Sequence, residues 1–135
     1  MSSIPRILIV EDDHLDQYLI KRAFDQCDHG AEYAFAWDAE DALAQLQAGP
    51  LPQLIVTDLR MPGIGGFGLL CELKSDQKLK SIPTIVFSTS SQEEDIREAY
   101  DRHANSYVVK PTDSAGYERF AYRVREYWLF ENKVA

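Results

Sequence analysis

Residues suited to phosphoryl chemistry stand at the carboxyl ends of four short apolar runs in this chain. Asp58 follows the run 54–57 and precedes a loop rich in glycine and proline, the pattern of a strand buried on both faces. Because open α/β sheets bind ligands at the carboxyl ends of their strands, polar residues at these ends are expected to meet. Carboxylates, a lysine and a hydroxyl gathered at one edge predict a Mg²⁺-assisted phosphoryl acceptor. The residues concerned are Glu11, Asp12, Asp13, Asp58, Ser88 and Lys110.

Asp58 is the candidate nucleophile, since carboxylates form aspartyl phosphates. Crowded carboxylates repel one another and a divalent cation relieves that repulsion, so the acids after the first run predict a Mg²⁺ site. Lys110 would place a compact positive charge on phosphate oxygens, and Ser88 would donate a hydrogen bond to them. Simpler alternatives are that the acids favour the amino end of a helix and that Lys110 is a surface lysine.

Strand-like and helix-like patterns alternate five times along the chain with short connections. This alternation predicts an α/β fold, a doubly wound parallel sheet of five strands with helices on both faces. A capping-box pattern at 91–94 is expected to open the fourth helix. The predicted strands cover 6–10, 32–36, 53–57, 83–88 and 106–109, and the predicted helices cover 13–28, 39–48, 66–76, 92–103 and 113–130.

Length and composition narrow the class of protein. The chain has 135 residues, of which 45% are hydrophobic and 27% charged, so a single domain spanning 1–135 is expected. A formal net charge of −8 argues against a nucleic-acid partner. No apolar stretch approaches the roughly 20 residues that span a bilayer, and the first residues do not resemble a signal peptide. A cytoplasmic protein without membrane contact is the expected class.

Four segments resemble the receiver domains of bacterial two-component response regulators, in the order and with the spacing of that family. The resemblance covers essentially the whole chain. It implies a CheY-like fold with the flavodoxin-like strand order 2-1-3-4-5, and a phosphoacceptor signalling domain rather than an enzyme. The segments are ILIVED (7–12), VTDLRMPG (56–63), Pro83 with Ser88, and YVVKP (107–111).

The resemblance assigns roles to the residues around Asp58. It implies that Asp58 accepts a phosphoryl group from the phosphohistidine of a sensor histidine kinase. It also implies that Mg²⁺ is bound by Asp12, Asp58 and the backbone carbonyl of Arg60. Glu11 would act through a metal-bound water.

A switching role is implied for residues on the fourth and fifth strands. Lys110 resembles the phosphate-binding lysine of the family, and Ser88 and Tyr107 resemble its switch pair. Phosphorylation would then alter the face made by the fourth helix, fifth strand and fifth helix, for partner binding or dimerisation. The alternative output is a phosphate sink or relay intermediate. A cis peptide bond between Lys110 and Pro111 is also implied.

The last predicted helix carries more aromatic residues than one core-facing stripe needs. Tyr127, Leu129 and Phe130 are left over and predict an exposed apolar patch, the usual mark of an interface. Stand-alone receivers with a similar end are found beside phytochrome-type sensor kinases, and several are dimers, so a homodimer through this helix is expected. The core-facing stripe comprises Tyr117, Phe120, Ala121, Val124 and Trp128.

Three rival functions use the same pattern of elements. A flavodoxin-like cofactor module would need a neutral loop after the first strand, where the acids Glu11 to Asp13 stand. A Mg²⁺-dependent phosphohydrolase would typically carry a second acid two residues after the nucleophile, where Arg60 stands. A degenerate receiver that only binds partners would not need the full set of acids, hydroxyl and lysine.

Overall fold

The computed structural model describes residues 4–27 and 31–131, and its side chains up to residue 128. Five parallel strands form one sheet in the order β2-β1-β3-β4-β5, as predicted. The five strands are β1 (Arg6–Val10), β2 (Glu32–Ala36), β3 (Leu54–Thr57), β4 (Thr84–Ser88) and β5 (Ser106–Val109). The α-helices are α1 (His14–Cys27), α2 (Ala39–Ala48), α3 (Gly65–Ser75), α4 (Glu93–Asp101) and α5 (Ser114–Val124).

The central strands are buried on both faces because helices cover each side of the sheet. Successive residues of a strand point to opposite faces. Ile7 and Ile9 accordingly pack with α1 and α5. Leu8 and Val10 pack with α2 and α3. This arrangement confirms the doubly wound architecture and explains why the strands are almost entirely apolar.

The register of the sheet brings the polar strand ends together. Val10 pairs with Thr57, so the residues that follow β1 and β3 lie side by side. Ser88 pairs with Val109, and the Lys110 amide donates to the Ser88 carbonyl at 2.7 Å. Because all five strands are parallel, these ends form one edge of the sheet, which is the edge that the sequence predicts for the site.

The start of α4 differs from the prediction. The capping box expected from Ser91 is wrong, because Gln92 is the N-cap residue and no side chain caps it. The Ser90 hydroxyl accepts instead from the Gln92 amide at 3.3 Å, and it donates to Asp95. A serine one position earlier therefore organises the turn before the helix.

The C-terminal helix keeps its predicted core-facing stripe but not its predicted regular geometry. Its α-helical part ends at Val124, and Arg125–Glu131 continue as a π-helix, in which hydrogen bonds span five residues instead of four. The first four members of the stripe are buried, and Trp128 packs half-buried against them. The side chains of Leu129 and Phe130 lie outside the described part, so their predicted exposure stays a prediction.

Within the ranges described, no helix has the length and apolar character that crossing a membrane requires.

Candidate phosphoacceptor site

A buried lysine stands among three carboxylates at the carboxyl edge of the sheet. The Lys110 ammonium lies 2.7 Å from Glu11 Oε1, 2.6 Å from Asp16 Oδ2 and 3.0 Å from Asp58 Oδ2. The side chain of Lys110 is 3% exposed. Each carboxylate comes from a different position around the sheet edge: after β1, in the first turn of α1 and after β3. The structure thus unites Glu11, Asp58 and Lys110 as the sequence predicts.

Asp16 is the member of this cluster that sequence reasoning missed. It is the third residue of α1, and the first turn of that helix passes back over the sheet edge toward Lys110. The sequence did offer one signal for it: a helix starts directly after the acids that follow β1, so Asp16 falls in the first turn of that helix. Asp12, predicted as a metal ligand, is exposed and lies outside the group of three carboxylates.

The three carboxylates are suited to a hard cation. One oxygen each from Glu11, Asp16 and Asp58 lies within 4.8 Å of the others. Mg²⁺ prefers carboxylate oxygens with water and phosphate oxygens in the remaining positions, so this donor set fits it. Three negative charges against one ammonium leave the cluster short of positive charge, which a divalent cation would supply.

The backbone around Asp58 orients its side chain. The Leu59 amide donates to Asp58 Oδ1 at 2.7 Å, while Oδ2 is the oxygen that faces Lys110. The Gly66 amide donates to the Leu59 carbonyl at 3.0 Å, so the amino end of α3 lies directly on this loop. The Asp58 carboxylate is therefore fixed at Oδ1 by the backbone, while Oδ2 faces Lys110.

Comparison with known proteins agrees with this geometry. Residues 7–118 match the response regulator receiver domain family. The chain belongs to that family. A probable methanogenesis regulatory protein of Methanothrix harundinacea, FilR2, is 34% identical over 94% of this chain and 85% of its own length. The response regulator Rcp1 of Synechocystis is 31% identical over 91% of this chain and 88% of its own length.

Solved structures resemble this receiver domain closely. The phosphorylated cyanobacterial phytochrome response regulator RcpA has a TM-score of 0.91 and 33% identity, covering 98% of this chain and 99% of that one. The Mn²⁺-bound form of Rcp1 has a TM-score of 0.87 and 29% identity, covering 97% and 99%. The family membership favours the receiver interpretation over the flavodoxin-like and phosphohydrolase rivals.

Ser88 and Tyr107, which the resemblance predicts to be a switch pair, are connected through Ser90. Ser88 is buried, and its hydroxyl oxygen accepts from the Ser90 amide at 3.1 Å. The Tyr107 hydroxyl, on half-buried Tyr107, donates to the Ser90 carbonyl at 2.8 Å. The Tyr107 amide donates to the Tyr100 hydroxyl of α4 at 3.1 Å. A chain of hydrogen bonds therefore runs from β4 to α4 and β5.

Arg60 reaches across the site to α4. Its guanidinium lies 2.8 Å from Asp95 Oδ2, and its side chain is 68% exposed. The hydrogen bond from Ser90 and then the Arg60 pair lower the pKa of Asp95. The Arg60 side chain thus joins the loop after β3 to α4.

The peptide bond expected to be cis after Lys110 is trans. Among the described residues, the cis peptide bond joins Gly49 and Pro50. Lys110 is instead positioned by its three carboxylate partners and by the packing of Pro111 against Gly116 at the start of α5.

Burial makes Glu11 the carboxylate that most readily keeps a proton. Burial raises its pKa from 4.5 to about 7; the Lys110 hydrogen bond opposes the rise and the charge of Asp58 reinforces it. Burial alone would lower the pKa of Lys110, but the hydrogen bonds to Asp16 and Glu11 and the negative charges nearby raise it. Lys110 is therefore charged at neutral pH.

Glu11→Gln is expected to flatten the pH dependence of stability. The folded protein keeps the Glu11 proton between pH 4.5 and about 7 while the unfolded chain releases it, so the free energy of unfolding falls as the pH rises through that window. Glutamine removes this titration, and we expect it to raise the free energy of unfolding by about 1–2 kcal/mol near pH 8. Urea unfolding between pH 5 and pH 8 measures the difference.

Glu32→Gln is the matched control, since Glu32 forms an exposed pair with Arg6. An identical pH slope in the wild type and both variants would contradict the assignment to Glu11.

Proposed function

We propose that this receiver domain is a two-component response regulator whose Asp58 accepts a phosphoryl group from a sensor histidine kinase. The observation that carries the proposal is the buried contact of Lys110 with Asp58 Oδ2, at 3.0 Å, beside two further carboxylates. A nucleophilic carboxylate, a fixed positive charge and a cation-binding donor set are the parts that phosphoryl transfer to aspartate requires.

The donor set supports Mg²⁺ as the cofactor. Glu11, Asp16 and Asp58 are the residues whose oxygens lie close enough together to hold it, and Asp12 and the Arg60 carbonyl stay predicted ligands. When bound, Mg²⁺ neutralises negative charge on the phosphoryl group that is transferred.

Asp58, Leu59, Ser88 and Lys110 have separate roles in the transfer of the phosphoryl group. Asp58 Oδ2 attacks phosphorus, the new O–P bond forms, and the N–P bond to the kinase histidine breaks. The electron pair of that bond stays on the histidine nitrogen. The Leu59 amide fixes Oδ1, which limits the rotation of the nucleophile. Lys110 supplies positive charge to the transferred oxygens, and Ser88 donates its hydroxyl hydrogen to one of them.

The output we propose is a shift between two states of the surface made by α4, β5 and α5. Ser88 lies at one end of the hydrogen-bond chain through Ser90, and Tyr107 lies at the other. Drawing the Ser88 hydroxyl toward a phosphoryl group would remove the acceptor that holds the Ser90 amide. A bias of about 1.4 kcal/mol changes the ratio of the two states tenfold, which a few charge-assisted hydrogen bonds can supply.

A phytochrome-type histidine kinase is the partner we propose, because the similar proteins RcpA and Rcp1 include a phytochrome response regulator. A receiver domain in the cytoplasm fits this role. The alternative output is a phosphate sink or relay intermediate, in which the phosphoryl group moves on without a surface change.

The proposal is tested by intact mass after incubation with acetyl phosphate. The wild type is expected to gain a phosphate-sized adduct that requires Mg²⁺, and the Asp58→Asn protein is expected to gain none. Asp41→Asn, at a half-buried acid in the first turn of α2, is the matched control and should behave as the wild type. An adduct that persists in Asp58→Asn would mean that another residue is the acceptor.

A homodimer through the C-terminal helix is the second part of the proposal. Tyr127 is 52% exposed beside a groove of about 370 Å³. The groove is lined by Val108 of the edge strand β5 and by Arg123 and Trp128 of the last helix. An exposed aromatic side chain next to an apolar groove on an edge strand is typical of a protein interface.

Tyr127→Ser is expected to weaken the dimer about tenfold, since a central aromatic residue contributes at least about 1.4 kcal/mol to such an interface. Sedimentation with and without acetyl phosphate measures the dissociation constant. Tyr18→Ser, at an equally exposed tyrosine of α1, is the control. A wild type that stays monomeric at tens of micromolar in both conditions would remove the dimer.

A further inference from the structure

Among the described residues, Asp16 is the carboxylate nearest to the Lys110 ammonium, although it is not the proposed acceptor. The distances from Lys110 Nζ are 2.6 Å to Asp16, 2.7 Å to Glu11 and 3.0 Å to Asp58. Charge-assisted bonds of this type usually measure about 2.7–2.9 Å. The ammonium is therefore held more closely by Asp16 and Glu11 than by the residue with which it would act.

All three donors of the Lys110 ammonium are engaged. An ammonium has three N–H groups, and each here faces one carboxylate. The N–H group of Lys110 that donates to Asp58 can donate instead to an oxygen of a phosphoryl group bound to Asp58. A phosphoryl group offers several strong acceptor oxygens. A second N–H group of Lys110 can donate to them only if its hydrogen bond to Glu11 or Asp16 breaks.

Of these two hydrogen bonds, the one that Asp16 accepts from Lys110 breaks more easily. Glu11 is 3% exposed in its side chain, and its second oxygen accepts from the Asp13 amide at 3.1 Å, so it is fixed at both oxygens. The side chain of Asp16 is 22% exposed and lies in the first turn of α1. Within residues 4–27 and 31–128, its other oxygen has only a long contact, 3.5 Å, with the Tyr117 hydroxyl. Asp16 can therefore turn toward solvent at lower cost than Glu11.

We propose that Asp16 is a positioning residue that holds the Lys110 ammonium back from Asp58 and competes with the phosphoryl group for it. The inference rests on the proposed function, because without a phosphoryl group on Asp58 there is nothing to compete with. The negative charge of Asp16 therefore lowers the affinity of the site for a phosphoryl group. Removing that charge frees a donor of Lys110 and removes a repulsion.

The test measures the affinity of the full-length protein for beryllofluoride, a phosphoryl mimic that binds carboxylates, at saturating Mg²⁺. Asp16→Asn is expected to bind it about fivefold to tenfold more tightly than the wild type, as the loss of one nearby charge and one charge-assisted bond implies. Asp16→Glu, which restores the charge, is expected to return the affinity to within about twofold of the wild type. A Mg²⁺ titration without beryllofluoride fixes the saturating concentration for each variant.

Asp25→Asn is the matched control. It removes the same charge from the same helix, at an exposed residue that pairs with Lys21 at 2.8 Å. Asp25 has no contact with Lys110 among those described, so the affinity of this variant should stay within about twofold of the wild type.

The outcomes separate this inference from the function on which it rests. An Asp16→Asn protein that binds beryllofluoride no more tightly than the wild type overturns the role of Asp16 alone. A weaker Asp16→Asn protein also overturns it, and would mean that Asp16 aids the site by holding Lys110 in place or by binding the metal. A wild type that binds no beryllofluoride overturns both this inference and the proposed acceptor.

Discussion

Replacing Lys110 with alanine is expected to destabilise the protein by about 3 kcal/mol near pH 8, because three neighbouring carboxylates lose their common cation. The loss is large because Lys110 is almost fully buried and water cannot replace it. The same substitution is expected to cost much less near pH 5. The measurement is the free energy of urea unfolding, variant minus wild type, at both pH values.

The pH dependence follows from the carboxylates left behind. The hydrogen bond and the charge of Lys110 lower the pKa of Glu11, so without the ammonium that pKa rises further above the value in the unfolded chain. The folded variant then binds the Glu11 proton over a wider range of pH than the wild type, so its stability falls further as the pH rises through that window. At lower pH Glu11 is protonated and its repulsion with the neighbouring carboxylates is lost.

Lys21→Ala is the control for this experiment. Lys21 pairs with Asp25 at 2.8 Å on the exposed surface of α1, and such pairs contribute at most about 1 kcal/mol. A loss in Lys110→Ala that is equal at pH 5 and pH 8 would contradict the electrostatic account. It would mean that Lys110 stabilises the fold through the packing of its aliphatic chain.

Gly66→Ala is expected to destabilise the protein by about 2–3 kcal/mol and to abolish its phosphorylation, because the amino end of α3 touches the loop that carries Asp58. A Cβ atom at Gly66 would lie 2.2 Å from the Asp58 carbonyl oxygen and 2.8 Å from Leu59 Cα. Both are backbone atoms, so the loop itself would have to move. That movement would displace the Leu59 amide, which orients Asp58 Oδ1.

The control for Gly66 lies on the same helix. A Cβ atom at Gly68 would lie 2.6 Å from Ile64 Cβ and 2.9 Å from Ile64 Cγ1, in a residue that is 45% exposed. Ile64 would have to shift but Asp58 and Leu59 would not, so Gly68→Ala should keep phosphorylation and cost less stability than Gly66→Ala, since alanine also favours a helix by about 1 kcal/mol. Thermal unfolding and intact mass after acetyl phosphate measure both variants. Equal behaviour of the two would contradict the proposed contact between α3 and the acceptor loop.

The strand ends were predictable from the sequence because a parallel sheet leaves little freedom in their placement. Once 7–10, 54–57 and 107–109 are taken as parallel strands of one sheet, the residues after them must share one edge. Glu11, Asp58 and Lys110 follow from that rule and from the short apolar runs that precede them. The family resemblance supplies the chemistry that the pattern alone leaves open.

The helix that follows the first strand was harder to predict. Asp16 reaches Lys110 because α1 starts at His14 and its first turn passes over the sheet edge, a direction that spacing alone does not give. Asp12 is a predicted ligand because the resemblance places the acidic pair of the family at Glu11 and Asp12. In the structure Glu11 is buried against Lys110, whereas Asp12 is exposed.

Local hydrogen bonding also decided features that the sequence pattern misplaced. Ser91 was the predicted cap, but Gln92 is the N-cap residue, and Ser90, which donates to Asp95, organises the turn before it. The change to a π-helix at Arg125 leaves no mark in the apolar spacing, because Trp128 still reaches the core beside Val124.

The measurement that tests the central claim most directly is to locate the phosphoryl group chemically. Borohydride reduces an acyl phosphate to an alcohol, so a phosphorylated aspartate becomes homoserine, which mass spectrometry of peptides can place in the sequence. We predict homoserine at position 58 alone, after treatment with acetyl phosphate and Mg²⁺, and none without the donor. Reduction at Asp12, Asp16 or any other carboxylate instead of Asp58 would contradict the account.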